Sequence, residues 1–169
     1  TIRIAATFDS NSNKVVISFA DGGNSYKGKS VVGTISGTSI SFGSVVQFEA
    51  GTTNYISSAF DSVNNKVIIA YQDSGDSNKG KAVVATVNNT AITFGDAVIF
   101  ETGRINYTAT VYDTNAEKTL ILYADADDSN HGKGVVGTVS NTAISFGTIA
   151  KFEAALTKYI AATFDSNIN

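Results

Sequence analysis

The chain contains no cysteine, proline, methionine or tryptophan among its 169 residues. Without cysteine it can form neither a disulfide framework nor a thiolate metal site. The absence of four residue types at this length is typical of a sequence built by copying one short template. Because the chain begins at Thr1 rather than Met, we also expect it to be a processed or excised piece.

Charge and hydropathy argue against two classes of partner. The net charge is −3 and the pI is near 5.0, so there is no basic field to attract nucleic acid or an anionic membrane surface. No apolar run approaches the roughly 20 residues that span a bilayer, so we expect no membrane insertion. With 43% hydrophobic and 16% charged residues, the composition is that of a folded globular protein.

The chain is organised around a motif in which a turn rich in Asp, Ser and Asn separates two apolar runs. The motif begins at Phe60 and recurs at Phe8, Tyr112 and Phe164, and each step is 52 residues. A constant period indicates that one supersecondary unit has been copied. We interpret residues 1–169 as a single repeat domain, with repeats at approximately 3–54, 55–106 and 107–158 and a fourth that starts at 159–169.

Each repeat contains four stretches with the signature of a β-strand, separated by polar turns, which we label A to D. Gly43 interrupts the alternation of strand D and indicates a bulge. Strand B is apolar on both faces, as in a strand that lies between two sheets. In the first repeat, strand A covers 1–10 with Ile2 as its first apolar residue, B covers 14–20, C covers 29–35, D covers 39–49, and 50–54 connect D to the next strand A.

Four short antiparallel strands per repeat of about fifty residues is the design of a β-propeller blade. A two-sided strand B suits this design because adjacent blades cover both faces. The predicted fold class is therefore all-β, a β-propeller-like array of four-stranded antiparallel blades, with three repeats plus one extra strand. A β-solenoid is the competing interpretation, although its repeats are usually shorter.

The extra strand has a consequence for assembly. Residues 157–167 nearly repeat residues 1–11, so the chain carries a second copy of its first strand A. Propellers have about four to eight blades, and this chain has only three full repeats. We therefore expect the array to continue, either in a longer chain or through a subunit whose last strand pairs with the next subunit. Such head-to-tail contacts close a ring or propagate a filament. The expected partners are copies of the chain itself or further repeats.

The loops between strands B and C resemble sites more than any other part of the chain. They gather carboxylate and amide oxygens, which are the ligands that Ca²⁺ prefers, so a calcium site here is one hypothesis. The spacing lacks the order and the distal bidentate Glu of a calcium loop, and the alternative is that these residues only form tight turns and hold no metal. The candidate ligand-binding residues are Asp73, Asp76, Asn78, Asp125, Asp127, Asp128 and Asn130.

The sequence contains no recognisable catalytic constellation. The single histidine, His131, occupies a loop position that Lys27 and Lys79 hold in the other repeats. Glu49, Glu101 and Glu153 recur once per repeat, whereas a glycosidase needs two carboxylates that face one cleft. We therefore expect no enzymatic activity, no catalytic residue and no cofactor.

The repetition of one unit favours a binding or structural role over catalysis. One pocket per blade would give multivalent recognition of a repeated target such as a glycan. Tyr107 is the aromatic candidate for such a contact, although a tyrosine that follows the 52-residue period more often serves packing. Asn88 and Asn106 begin triplets that match the glycosylation sequon.

The repeat consensus reads Tyr-Ile-x-x-x-Phe-Asp-Ser-x-x-x-Lys-Val-Val-Ile-x-Tyr-x-Asp, then Asn-Lys-Gly-Lys-x-Val-Val-Gly-Thr-Val, then Thr-x-Ile-Ser-Phe-Gly. Over the whole chain it resembles tandem β-propeller-blade-like repeats of large surface, fibre or phage-associated proteins of aquatic microbes. This resemblance implies an extracellular or particle-surface protein used for structure or attachment. We therefore predict a non-enzymatic structural or adhesive repeat protein, and the alternative is a multivalent glycan-binding, lectin-like β-propeller.

Overall fold

The computed structural model describes residues 3–167, and within them every regular element is a β-strand. All strand pairs are antiparallel, which confirms the all-β prediction. Ile2, the first predicted apolar position of strand A, lies outside the described residues. The strands are β1 (Ile4–Asp9), β2 (Lys14–Asp21), β3 (Lys27–Ser36), β4 (Ser39–Phe42), β5 (Val46–Asp61), β6 (Lys66–Asp73), β7 (Lys79–Asn88), β8 (Ala91–Phe94), β9 (Val98–Asp113), β10 (Lys118–Asp125), β11 (His131–Ser140), β12 (Ala143–Phe146) and β13 (Ala150–Glu153).

The A-to-B turns are shaped by an aspartate at the end of strand A. Asp61 Oδ1 accepts hydrogen bonds from the backbone N–H groups of Val63 and Asn64 at 3.1 and 2.8 Å. Asp9 and Asp113 accept the equivalent pairs of bonds in the other repeats. A carboxylate that satisfies two turn donors favours the reversal over a continued strand, so the motif that organises the sequence is a hairpin turn.

Strand D agrees with the prediction at its Gly43 break but differs from it at its C-terminal end. As expected, it breaks at Gly43, so that β4 and the start of β5 both pair with β3. The connection predicted at 50–54 is wrong, because β5 runs without interruption from strand D into the next strand A. Gly51 is inside the strand, where a Cβ atom would lie only 2.6 Å from Asp73 Oδ1, so the glycine permits a close approach and makes no turn.

The long strands β5 and β9 are each shared between two four-stranded units. Residues 46–52 pair with β3, whereas residues 53–61 pair with β6. In the same way, 98–104 pair with β7 and 105–113 pair with β10. The chain therefore forms three sheet units, one per repeat, whose connections are themselves strands.

The core lies between successive units. Ile69 and Val83 of the second unit pack with Val16 and Val32 of the first. The neighbouring residue Ile68 points the other way, into a second cluster with side chains of the third unit. Strand B of the second repeat is thus covered on both faces, as its two-sided apolar pattern predicts.

The A strands of successive repeats lie against each other through small polar side chains. Thr7 Oγ1 is 2.6 Å from Ser58 Oγ, and Ser57 Oγ donates to Thr108 Oγ1 at 2.9 Å. Small side chains let these strands approach closely. Along the described residues the order of paired strands runs from β1 to β12 without returning to β1, so the sheet is not closed and the three units form an open stack.

Two glycines set the spacing between neighbouring units. A Cβ atom on Gly43 would lie 2.1 Å from the carbonyl oxygen of Thr90, in the C-to-D turn of the next repeat. On Gly95 it would lie 1.9 Å from the carbonyl oxygen of Thr142. At Gly147, the third member of the series, the nearest atom is a backbone oxygen of its own unit at 3.7 Å. Within this series of three glycines, only the two that face a following unit are therefore sterically required.

This difference provides a matched pair of variants. We expect Gly95→Ala to lower the free energy of unfolding by roughly 1–3 kcal/mol, since the methyl group would overpack the contact between the second and third units. Gly147 occupies the equivalent position of the third repeat but has an open neighbourhood, so the stability of Gly147→Ala should stay close to that of the parent chain. Urea unfolding at low protein concentration measures both, and equal losses would contradict this account of the stack.

Candidate functional site

The first repeat exposes an apolar sheet face, which we call the first face, formed by Ile4, Phe8, Ile35, Ile40 and Phe42. Its exposure is specific to this repeat. Ile40 is 46% exposed, whereas the equivalent residues Ile92 and Ile144 are 3% and 4% exposed because a preceding unit covers them. An exposed apolar surface of this kind is typical of an interaction site in a soluble protein.

The third repeat exposes an apolar surface on the other side of its sheet. We call this surface the last face, and it is formed by Leu120, Val136 and Phe152. Val136 is 45% exposed, but the equivalent valines of the first two repeats are completely buried. Phe152 is 54% exposed, while its equivalent in the second repeat, Phe100, is 6% exposed. The third unit therefore ends in a surface that becomes core wherever another unit follows.

The two faces are equivalent to the two sides of the interface between successive units. Within the chain, the side of a unit that corresponds to the last face packs on the side of the next unit that corresponds to the first face. Ile68 and Val84, equivalent to Leu120 and Val136, share a cluster with Ile121 of the third unit. The stack thus displays, at its two ends, surfaces that are already complementary to each other.

A cavity lies between the last face and residues near the C-terminus. Its volume is about 240 Å³ and its lining is mainly apolar, with Leu120 and Val136 on one side and Thr163 and Phe164 on the other. In the preceding interface, the equivalents of Leu120 and Val136 contact the B and C strands of the next unit. The cavity therefore corresponds to the volume that strands B and C of a following unit would fill.

The acidic residues of the B-to-C loops are paired with lysines. In the second repeat, Lys81 Nζ lies 2.7 Å from Asp73 Oδ2 and 2.9 Å from Asp76 Oδ2. Burial lowers the pKa of Lys81, but its two carboxylate partners outweigh this effect and the net shift is upward. Asp73 also accepts the backbone N–H of Gly75 at 2.8 Å, so one carboxylate shapes the loop and anchors the lysine.

The third loop has the densest network of charges. Asp128 Oδ2 accepts from Lys151 Nζ at 2.8 Å and from Lys133 Nζ at 3.1 Å, and the two lysines hold the pKa of Asp128 well below its usual range. His131 Nδ1 is 3.1 Å from the other Asp128 oxygen. Asp125 pairs with Lys133, and this hydrogen bond raises the pKa of the lysine.

These loops bring together only part of the predicted ligand set. Asp127 lies apart from the network and accepts the backbone N–H of Arg104 at 2.8 Å. Asn78 and Asn130 adopt positive φ angles of 64° and 59°, as turn residues do. Within residues 3–167, no group of three His, Asp or Glu side chains converges as a metal site would require. The loop oxygens instead face ammonium groups and backbone donors.

The recurring glutamates have partners that the sequence pattern does not reveal. Tyr71 Oη donates to Glu49 Oε2 at 2.9 Å, and Tyr123 Oη donates to Glu101 Oε2 at the same distance. Burial, followed by the nearby glutamate, raises the pKa of each tyrosine. Each pair joins strand D of one repeat to strand B of the next, so these carboxylates hold the units together.

Tyr107 belongs to a ladder of side chains along the A strands. Its ring lies 5.0 Å from the ring of Tyr55 and 5.1 Å from that of Tyr159, and Arg3 sits 5.2 Å above Tyr55. All four residues have positive φ angles, and at Tyr55 and Tyr107 the strand register shifts as it does at a β-bulge. Because neighbouring rings occupy both sides of Tyr107, the geometry supports packing rather than stacking on a sugar.

The two sequons differ in their surroundings. Asn88 is exposed at the end of β7. Asn106 is half-buried, and its amide nitrogen donates to Asn130 Oδ1 at 2.9 Å. A glycan at Asn106 would be attached to the same amide nitrogen, which would keep one hydrogen in place of two.

Comparison of the chain with models of protein families, with curated proteins and with solved structures finds no match in any of the three. The resemblance to surface repeats of aquatic microbes therefore stays a prediction.

The sequence interpretation missed the two apolar faces and the lysine partners. The lysines could have been found, because an aspartate precedes a lysine by eight residues in all three repeats, at Asp21 and Lys29, Asp73 and Lys81, and Asp125 and Lys133. The faces could not be assigned from one repeat, since the same pattern is buried in one copy and exposed in another.

The charge network of the third loop predicts a pH dependence. A carboxyl whose pKa is lower in the folded than in the unfolded chain stabilises the fold above about pH 4 and loses that contribution as the pH falls further. Asp128 is such a group. We expect Lys151→Met to raise the pKa of Asp128 toward the ordinary value and to weaken the acid dependence of stability.

An NMR titration of the Asp128 carboxyl carbon measures this shift directly. Lys118→Met is the control, because the Lys118 ammonium group donates to the backbone oxygen of Glu117 at 3.3 Å and lies on another strand. An unchanged Asp128 midpoint in Lys151→Met, or an equal shift in the control, would contradict the assignment.

Proposed function

We propose that the chain is a non-enzymatic structural or adhesive repeat protein that assembles head-to-tail, with the last face of one copy on the first face of a second. The complementarity of the two faces carries this proposal. Val136 and Ile40 are exposed only because each lacks the neighbour that buries its equivalents elsewhere in the stack. No new interface chemistry is required, since the chain already contains this interface twice.

The glycine series supports the same arrangement. Gly43 faces Thr90 and Gly95 faces Thr142, so the next contact in the series would place Gly147 against Thr38 of the second copy. Gly147 leaves that space open. A side chain at this position would be tolerated in the isolated chain but would obstruct the docked one.

Head-to-tail contacts have a defined outcome. Such an interface is heterologous, so each added copy again presents a free first or last face, and the assembly either closes into a ring or grows into a filament. Closure would give a β-propeller-like ring, and open growth would give a fibre. An extracellular or particle-surface location for either form rests on the resemblance of the repeats.

Sedimentation velocity over a range of concentrations tests the assembly. We expect the parent chain to form larger species as concentration rises, and Val136→Lys or Phe42→Lys to weaken association at least about tenfold, equivalent to 1.4 kcal/mol, because each would bury an unpaired charge. Gly147→Ala should also weaken association while leaving the thermal midpoint of the dilute chain unchanged.

Val63→Lys is the matched control, since Val63 is 54% exposed in an A-to-B turn and belongs to neither face. A parent chain that stays monomeric at every concentration, or a control that weakens association equally, would argue against the proposal. Specific binding on a glycan array that is lost in Tyr107→Ala would favour the lectin-like alternative.

A further inference from the structure

Residues 157–167 differ from residues 1–11 at only two of eleven positions. In the structure, residues 1–11 contain β1, which pairs with β2 from Ile4 with Phe19 to Asp9 with Lys14. Residues 157–166 pair with no strand among the described residues, although they carry the side chains that β1 uses for this pairing.

The unpaired segment nevertheless occupies the position of a strand A. The backbone N–H of Thr157 donates to the carbonyl oxygen of Asn130 at 2.9 Å, as Ile105 does to Asn78 one repeat earlier. Tyr159 has a φ angle of 52° and its ring packs against that of Tyr107, as the ring of Tyr107 packs against that of Tyr55. The segment is therefore placed as the first strand of a fourth unit, with its pairing edge unused.

Head-to-tail docking brings this segment into conflict with β1 of the arriving copy. In every unit of the stack, the A strand lies against the A strand of the preceding unit. The position beside β9 is already occupied by residues 159–166. A second copy that docks its first face on the last face would place its own β1 there, so one of the two strands must leave.

We propose that the two copies exchange strands: residues 160–165 of one copy pair with β2 of the second copy and displace its β1. This inference rests on the head-to-tail assembly proposed above and specifies its mechanism. The register follows from the β1 pairing and joins Ile160 to Phe19, Ala161 to Ser18, Thr163 to Val16 and Asp165 to Lys14 of the second copy.

The exchange replaces contacts with nearly identical ones. Ile160 to Asn167 match Ile4 to Asn11 at every position, so the hydrogen-bond ladder and the side-chain pairs of β1 are reproduced. The one difference at the bulge is that Tyr159 replaces Arg3. Tyr159 is 83% exposed in the single chain and would gain the ring of Tyr55 of the second copy as a neighbour, which continues the tyrosine ladder.

Disulfide trapping between two single-cysteine variants tests the register, since the chain has no other cysteine. Ala161→Cys and Ser18→Cys are mixed in equal amounts, and antiparallel partners lie within disulfide reach at Cα separations of about 4.5–5.5 Å. We expect a mixed disulfide dimer whose yield rises with the concentration of the assembly.

Ser30→Cys is the control for Ser18→Cys. Ser30 lies one strand further away and is buried like Ser18, with its Oγ 2.9 Å from Ser18 Oγ, so it should give little mixed dimer with Ala161→Cys. Equal yields with Ser18→Cys and Ser30→Cys would overturn the register. A double variant, Ala161→Cys with Ser18→Cys in one chain, that forms its disulfide as a monomer would show that the strand returns to its own β2 and would overturn exchange between copies.

Proline variants separate the strand exchange from the docking of faces. Successive N–H groups of a strand point to opposite edges, so one of Ala161→Pro and Ala162→Pro removes a donor that the exchanged ladder needs. These residues are unpaired in the single chain, so its stability should not change. We expect one of the two variants to weaken association at least about tenfold.

The outcomes distinguish the two proposals. If neither proline variant weakens association while Val136→Lys does, the copies dock head-to-tail without exchanging strands and this inference is wrong. If the parent chain does not associate at any concentration, both proposals fail together.

Discussion

Strand β6 carries large apolar side chains on both of its faces, and neither face can remain in water without a cost. Ile68 and Ile69 are adjacent in the chain, point in opposite directions and are both completely buried. A single four-stranded unit cannot satisfy this constraint, because it covers neither of its own faces. Stacking of units follows from it, and so do the glycine contacts and the glutamate–tyrosine bonds that adjust one unit against the next.

The same constraint is unsatisfied at both ends of the three-unit stack. The first and last faces are made from residue types that form the core elsewhere, and their exposure is a matter of position in the stack rather than of composition. The B-to-C loops have the opposite character, because Asp73, Asp76, Asp125 and Asp128 are already paired with lysines of the same unit. The lysine–aspartate pairs of these loops therefore stabilise each unit internally, whereas apolar area and the glutamate–tyrosine hydrogen bonds connect one unit to another.

The 52-residue period and the alternation within it allowed the strands, the Gly43 break and the two-sided strand B to be predicted. The continuous path from strand D to the next strand A could not be predicted, because a glycine such as Gly51 usually indicates a turn. In the structure, Gly51 instead makes room for the Asp73 carboxylate of a neighbouring strand. The pairing of Asp128 with Lys151 escaped prediction because it joins residues from separate loops and strands. Such contacts depend on the register of the sheet, which one sequence does not specify.

The shared strands β5 and β9 have a consequence for how the stack resists force. A chain of domains on flexible linkers extends by opening one domain while the others remain intact. Here the connection between units is itself hydrogen-bonded on both sides, to β3 over residues 46–52 and to β6 over residues 53–61. Pulling one unit open would remove half of a strand from its neighbour, so we expect the three units to resist force together rather than one at a time.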